Sequence, residues 1–195
     1  MALVIHKFTR NVPHWQPRLT PVKLAEATPE QLEALQVTPS NTKVSDYVLT
    51  LAHDVESLAA RSPLFNAIMY DPGGLSRAER ELGALAASMV NRCIYCAAVH
   101  ADRHAKIEKD TTTTDALFAA GEKANLSPRD RAIFDFARKS AEAPPTAGAA
   151  DMEALRQAGL SDAEILDLIL SAALFGWANR LMHVLGDPVR KTEDA

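Results

Sequence analysis

Apolar residues recur along most of this chain at the spacing of one helical face, and runs of strict apolar–polar alternation are thin. From Val44 to Ala60 the positions Val44, Tyr47, Val48, Leu51, Val55 and Leu58 form one stripe and predict a single helix. Ser62-Pro63 opens a short successor reaching Met69, and Asp71-Pro-Gly-Gly74 stops it. Three helix starts then share a signature. Leu75-Ser-Arg-Ala-Glu79 and Leu160-Ser-Asp-Ala-Glu164 each place a serine three residues before a glutamate, the spacing of a reciprocal capping box. Leu126-Ser-Pro-Arg-Asp130 offers a serine cap and a proline in the first turn, where its missing N–H costs nothing. Thr28-Pro29-Glu30-Gln31 does the same for one short helix within an otherwise extended arm, residues 1–40, punctuated by Pro13, Pro17, Pro21 and Pro39.

Sliding the first start onto the third by 85 residues aligns Leu75, Ser76, Ala78, Glu79 and Ala87 with Leu160, Ser161, Ala163, Glu164 and Ala172. The same offset sets Asn91 on Gly176, Cys93 on Ala178, Cys96 on Leu181 and His100 on Leu185. This suggests a duplication in which only the first copy keeps polar chemistry, although capped Ala/Leu helices resemble one another in any case. The expected fold class is all-α, with one domain over residues 41–190. Its active unit spans about residues 75–110 and its degenerate repeat about 160–186; Ala141 to Gly148 is a linker and 191–195, within a tail from Asp187, is frayed. Ile165, Leu168, Ile169, Leu170, Leu174, Phe175 and Trp177 make the last helix apolar almost all round, so it is expected in the bundle centre or under a second subunit of a homo-oligomer.

A length of 195 residues with 47% hydrophobic content suits one core. A net charge of −4, with basic residues scattered, gives no reason to expect nucleic acid. The N-terminus lacks a signal peptide's apolar core, and no run was expected to have the length to cross a bilayer. The expected location is the cytoplasm, where thiols stay reduced unless they turn over. That makes Cys93 and Cys96, the only two cysteines, a reactive or metal-binding pair before a structural staple.

Asn91-Arg-Cys-Ile-Tyr-Cys-Ala-Ala-Val-His100 is where reactive residue types converge. With Asn91 as an N-cap, Cys93 falls in the first turn of a new helix, where unpaired backbone N–H groups favour a thiolate. Cys96 and His100 lie on the same face, so His100 is placed to act as a base toward Cys96. If the chain folds back at Asn91, Glu81 comes level with His100 and can orient it; in a continuous helix Glu81 and Cys93 would be about 18 Å apart. Tyr95 reads equally as core packing or as a proton donor at the site mouth. His104 extends the row, but Cys93 and His104 are about 16 Å apart along a straight helix, which argues against one zinc ion held by all four residues. A three-ligand site with water stays open; otherwise His104 is a solvated or hydrogen-bonded neighbour. Asp102, Arg103 and Lys106 read as a solvated face, Thr111 to Thr114 as a capping loop, and His6, His14, His53 and His183 as isolated.

At these residues the chain resembles the AhpD-like alkylhydroperoxidases of the carboxymuconolactone decarboxylase superfamily, in the branch of peroxidase-related enzymes. The match is Glu81, eleven residues, then Cys93-x-x-Cys96-x-x-x-His100, after the Ser76 helix start; it extends to Leu126-Ser-Pro-Arg-Asp-Arg131, to Leu160-Ser-Asp-Ala-Glu-Ile165 and to Asn179-Arg180. It covers about residues 40 to 186 and leaves the first forty outside. The resemblance implies an internally duplicated all-α fold, a homo-oligomer, and reduction of organic hydroperoxides by thiols. It implies Cys96 as the attacking thiolate, Cys93 as the resolving thiol, Glu81 and His100 as the proton relay, and a lipoyl- or thioredoxin-like dithiol as reductant. Cys93 is the more acidic thiol by the helix-dipole argument alone. Tyr95 stands where the best-studied relatives carry a second histidine. No metal, flavin or haem is expected, because a nucleophilic and a resolving thiol suffice. Two further readings fit the same dithiol: a disulfide reductase for a partner protein, and a redox-sensing oligomer without turnover.

Overall fold

The computed structural model describes residues 3–36 and 44–190; part of the expected arm and the tail from residue 191 lie outside them. The fold is all-α, as the periodicity predicts. After a short strand, β1 (His14–Pro17), come α1 (Pro29–Ala34), α2 (Asp46–Leu51), α3 (Val55–Tyr70), α4 (Arg77–Val90), α5 (Ile94–Glu108) and α6 (Thr112–Ala120). α7 (Pro128–Ala141), α8 (Ala149–Gln157), α9 (Asp162–Leu185) and β2 (Gly186–Val189) complete it.

The helix starts form where the caps predict. Thr28, Ser76 and Ser161 each accept from the N3 backbone N–H while the N3 side chain accepts from the cap's own N–H, and Ser127 accepts from Asp130. The starts of α4, α7 and α9 meet at Arg129, which bonds Glu79 at 2.5 Å and Glu164 at 2.9 Å, the two capping-box glutamates.

α4 is the central helix, packed against α5, α7 and α9, and Leu82, Ala84, Leu85, Ala86 and Ala87 are wholly buried on it. Near its start, Arg80 gathers the Asp71 and Gly73 carbonyls of the preceding turn and the Asp167 carboxylate of α9. Gly74 is required in this turn: its φ is +62°, and a Cβ there would lie 2.0 Å from Asp167 Oδ2.

Four expectations need correction. The single helix from Val44 to Ala60 is two, because the Asp54 carboxylate accepts from Ser57 N and Oγ and starts α3 afresh. Its apolar stripe looks continuous because Tyr47, Val48 and Leu58 enter the same core from both helices. Pro63 then sits on the exposed side of α3 and opens no helix of its own. The tail from Asp187 is not frayed in its described part, which runs to Arg190. β2 pairs antiparallel with β1, and the Arg190 N–H donates to the Leu3 carbonyl at 3.0 Å. Trp15 of β1 is thereby buried over Gly186, where a Cβ would lie 2.4 Å from the indole.

Finally, α9 has the length and hydropathy of a bilayer span, a mean of 1.4 over its best window, which the count of uninterrupted apolar residues missed. Half of that window is buried against the bundle, whereas Leu166, Leu170 and Trp177 stay exposed on its outer face.

Candidate active site

α4 ends where its last carbonyls are taken by the chain turning back. Asn91 is its C-cap, the Arg92 N–H donates to Met89 O at 3.1 Å, and the Cys93 N–H to Ser88 O at 2.9 Å, the bond pattern of a Schellman motif. Arg92 takes the left-handed position with φ +54°, normally given to glycine. Asn91 therefore closes one helix and does not open the next, contrary to the sequence expectation. Cys93 is the N-cap of α5, and Cys96 is the residue in its first turn. Three residues accomplish the fold-back.

The predicted consequence holds. Glu81 and His100 meet in the core, with His100 Nδ1 hydrogen-bonded to Glu81 Oε2 and both side chains essentially inaccessible to solvent. Glu81 Oε1 forms an ion pair with Arg77 at 2.5 Å and faces Arg103 at 3.9 Å. Arg103 thus belongs to the site and not to the solvated face, which keeps Asp102 and Lys106 as an exposed pair. Burial works against the Glu81 charge, but His100, Arg77 and Arg103 outweigh it and hold the carboxyl below its ordinary range. Burial likewise holds His100 below its ordinary value, against the pull of Glu81 and with help from both arginines. A neutral imidazole with Nδ1 committed to Glu81 leaves Nε2 as its reactive nitrogen. The ring packs edge-on to Phe175 of α9, with centroids 4.0 Å apart.

Cys93 and Cys96 are free, buried thiols whose sulfurs lie 2.7 Å apart. Cys93 is the more acidic. The Cys96 thiol lowers its pKa most, and the Cys96 and Tyr95 amides and the Asn179 side chain add to this against burial, without a cap hydrogen bond forming. Cys96 is pushed up, first by burial and then by its neighbour. Acidity therefore favours Cys93, as the helix-dipole argument has it.

Access divides the two sulfurs. Cys96 and His100 line a cavity of about 240 Å³, together with Tyr47, Arg61, Phe65, Arg103 and Phe175. Cys93 lines a separate cavity of about 210 Å³, with Trp15, Arg18, Arg92 and His6. Tyr95 is half-buried and borders both. His104 does not belong here. It is buried, contrary to the solvated reading, its Nδ1 has no hydrogen-bond partner, and it lines neither cavity. Among the described residues no three His, Cys, Asp or Glu side chains converge as a metal site. His6 borders the second cavity, and the His183 ring N–H donates to the Asn91 carbonyl at 2.7 Å, so neither is isolated.

Sequence reasoning missed Arg77, Arg61, Tyr47 and the contributions of α9. Asn179 is wholly buried; it accepts from Asn91 Nδ2 and donates to Ser88 Oγ, both at 3.2 Å. A lone amide inside an apolar helix was the available signal, since such a group needs partners.

The sequence model of the Carboxymuconolactone decarboxylase family matches residues 56–139, which hold Glu81, both cysteines and His100. Among solved structures, the chain is similar to an alkylhydroperoxidase AhpD core, an uncharacterized peroxidase-related protein from Ralstonia eutropha JMP134. The two are 31% identical with a TM-score of 0.77, over 93% of this chain and 94% of that one. Coverage this high takes in most of the forty-residue arm, which therefore does not stand outside the resemblance. A peroxidase-related protein from Silicibacter sp. TM1040 is 28% identical, TM-score 0.72, over 87% and 91% of the two chains. The debrominase Bmp8 shares the fold at 17% identity and a TM-score of 0.72, over 86% and 89% of the chains. No curated protein sequence matches the chain.

Proposed function

This chain belongs to the AhpD-like carboxymuconolactone decarboxylase superfamily, and from that premise we propose that it is a thiol-dependent peroxidase reducing organic hydroperoxides. The observation that carries the reading is the shared wall of one cavity: Cys96 and His100 face the same space, with Glu81 behind the imidazole and Cys93 behind the sulfur. A buried carboxylate–histidine pair beside a thiol of raised pKa is the arrangement a general base needs.

His100 Nε2 takes the Cys96 proton, directly or through a water in the cavity that both line, and Glu81 stabilises the imidazolium. The Cys96 thiolate attacks the terminal peroxide oxygen. The O–O bond breaks, Cys96 becomes a sulfenic acid, and the departing alkoxide takes the proton back from His100 as alcohol. Cys93 then attacks Cys96 Sγ, the S–S bond forms, and the hydroxyl leaves with the Cys93 proton as water. The Cys96 and Tyr95 amides and the Asn179 side chain, which also lower the Cys93 pKa, stay in place for this second step and favour the thiolate that resolves the sulfenic acid. A dithiol of the lipoyl or thioredoxin kind returns two electrons. Its approach to Cys93 through the second cavity leaves the peroxide side undisturbed. Cytoplasmic location fits this reductant, and the exposed Leu166, Leu170 and Trp177 of α9 support assembly with further copies of the chain.

The test is consumption of cumene hydroperoxide with excess dihydrolipoamide. Cys96→Ser is expected to lose at least about a thousandfold in turnover, the scale seen when a nucleophile is removed. Cys93→Ser is expected to reduce one equivalent and leave a dimedone-reactive sulfenic acid on Cys96. Equal consumption by wild type and Cys96→Ser would end the peroxidase reading. A sulfenic acid on Cys93 in Cys96→Ser would exchange the two thiols' roles.

A further inference from the structure

The cavity at Cys96, about 240 Å³, is smaller than the roughly 300–1,000 Å³ of sites for drug-sized ligands, so its occupant is small. Its lining is uneven. Phe65, Val99, Phe175 and Met182 supply apolar walls, and its charged residues are Arg61 and Arg103, with no aspartate or glutamate among them. Arg103 is engaged with Glu81. Among the described residues Arg61 is engaged with no carboxylate: its guanidinium lies 4.2 Å over the Phe65 ring, and its buried Nε has no hydrogen-bond partner there. Tyr47 is only 8% exposed, and its hydroxyl is equally without a partner among the described residues. Burial depresses the Arg61 pKa and raises that of Tyr47, the cost of holding both polar groups away from water. An arginine Nε and a tyrosine hydroxyl without partners among the described residues, both on side chains that line one cavity, are complementary to an anion.

We propose that Arg61 and Tyr47 seat the carboxylate of a small anionic substrate, whose apolar body lies along Phe65 and Phe175 and whose reactive end meets Cys96. On the peroxidase reading, the physiological oxidant is thus a hydroperoxide carrying a carboxylate. The acid belongs to the oxidant and not to the reductant, because Cys93 opens on a cavity of its own with Arg18 and Arg92 at its walls.

Binding is measured first, by calorimetry on the reduced protein, with 4-isopropylbenzoate and its neutral amide. The benzoate is expected to bind at least about tenfold more tightly. Arg61→Gln removes that preference, Arg61→Lys keeps part of it, and Tyr47→Phe weakens benzoate severalfold; matched circular dichroism and melting curves show that each variant is folded. Turnover follows, comparing cumene hydroperoxide with its para-carboxylate. The carboxylate is expected to have the higher kcat/KM, through KM, and Arg61→Gln to lose at least about tenfold more on it than on the neutral peroxide. Equal binding of benzoate and amide, or equal losses on both peroxides, would overturn the proposal. So would benzoate competing only with dihydrolipoate, in reduction of protein oxidised by diamide. Arg61-dependent benzoate binding without any peroxide turnover would uphold the seat and remove the peroxidase reading.

Discussion

α4 and α9 begin alike and end differently. Each opens on a serine–glutamate capping box, and Arg129 of α7 ties the two glutamates together. α4 stops after 14 residues, turns through Asn91 and Arg92, and returns as α5. α9 runs on for 24 residues through Gly176 and Trp177, the positions that correspond to that turn. The reactive site follows from the stop: without it His100 could not lie beside Glu81, one helix back. The uninterrupted helix supplies what the α4–α5 pair lacks, a rigid wall, with Phe175 against the imidazole and Asn179 against the turn. The helix terminus places the chemistry, because two helices that start alike differ in where they stop.

The largest break in this comparison removes what the fold-back brings together. Glu81→Gln keeps the shape and removes the charge, and kcat/KM for peroxide is expected to fall about 10²- to 10⁴-fold, the span of a lost general-base partner. Glu81 raises the His100 pKa against the effect of burial, so without its charge the acid limb of the rate profile moves to lower pH. Stability carries a matching sign. The folded His100 pKa lies below its ordinary 6.5, so the unfolded chain binds that proton first and stability declines as pH falls below about 6.5. The folded Glu81 pKa lies below its ordinary 4.5, so its contribution is full above about 4.5 and is lost as pH falls through the folded value. Melting temperatures from pH 8 to pH 3 check both steps, and Glu81→Gln is expected to lack the lower one. A variant with wild-type rates would show the fold-back to be packing alone.

A smaller effect sharpens the contribution of α9. Asn179→Ala removes one hydrogen bond each from the Asn91 amide and the Ser88 hydroxyl, which keep their bonds to the Ala87 and Ala84 carbonyls, and urea denaturation is expected to show a loss of about 1 kcal/mol. The Asn179 side chain also lowers the pKa of both thiols. Iodoacetamide alkylation should therefore shift to higher pH in the variant. An unchanged alkylation profile would reduce α9 to filler.

The elements foreseen from the chain are those with local causes. Ser76, Ser127, Ser161 and Thr28 cap within four residues of themselves, and Cys93, Cys96 and His100 share a face through helical spacing alone. Glu81 was found by counting along two helices because their connection is short. What escaped depends on distant partners. The pairing of β1 with β2 joins the two ends of the chain, and four-residue strands carry too little alternation to announce themselves. Arg61 and Tyr47 belong to different helices, meet only around a cavity, and have no spacing to betray them. Asn91 suits either end of a helix; the bond from Cys93 N–H to Ser88 O decides for the C-terminus.

The finest test puts one residue type into both helices' matching positions. Arg92 holds a left-handed conformation that costs an L-residue roughly 1–2 kcal/mol, whereas glycine takes it freely at an entropic cost of about 0.5–1 kcal/mol. Its side chain is exposed and forms no ion pair among the described residues, so its removal sacrifices little. Arg92→Gly is expected to stabilise the protein by up to about 1 kcal/mol, a rise of a few degrees in Tm for a chain of this size. At the corresponding place in α9, Trp177→Gly puts the same residue in mid-helix and is expected to destabilise by at least about 1 kcal/mol. Opposite signs in paired calorimetric scans would show that one position is a helix terminus and the other a helix interior. Destabilisation by both would mean that the Arg92 side chain holds the turn, and that the second cavity depends on it for shape.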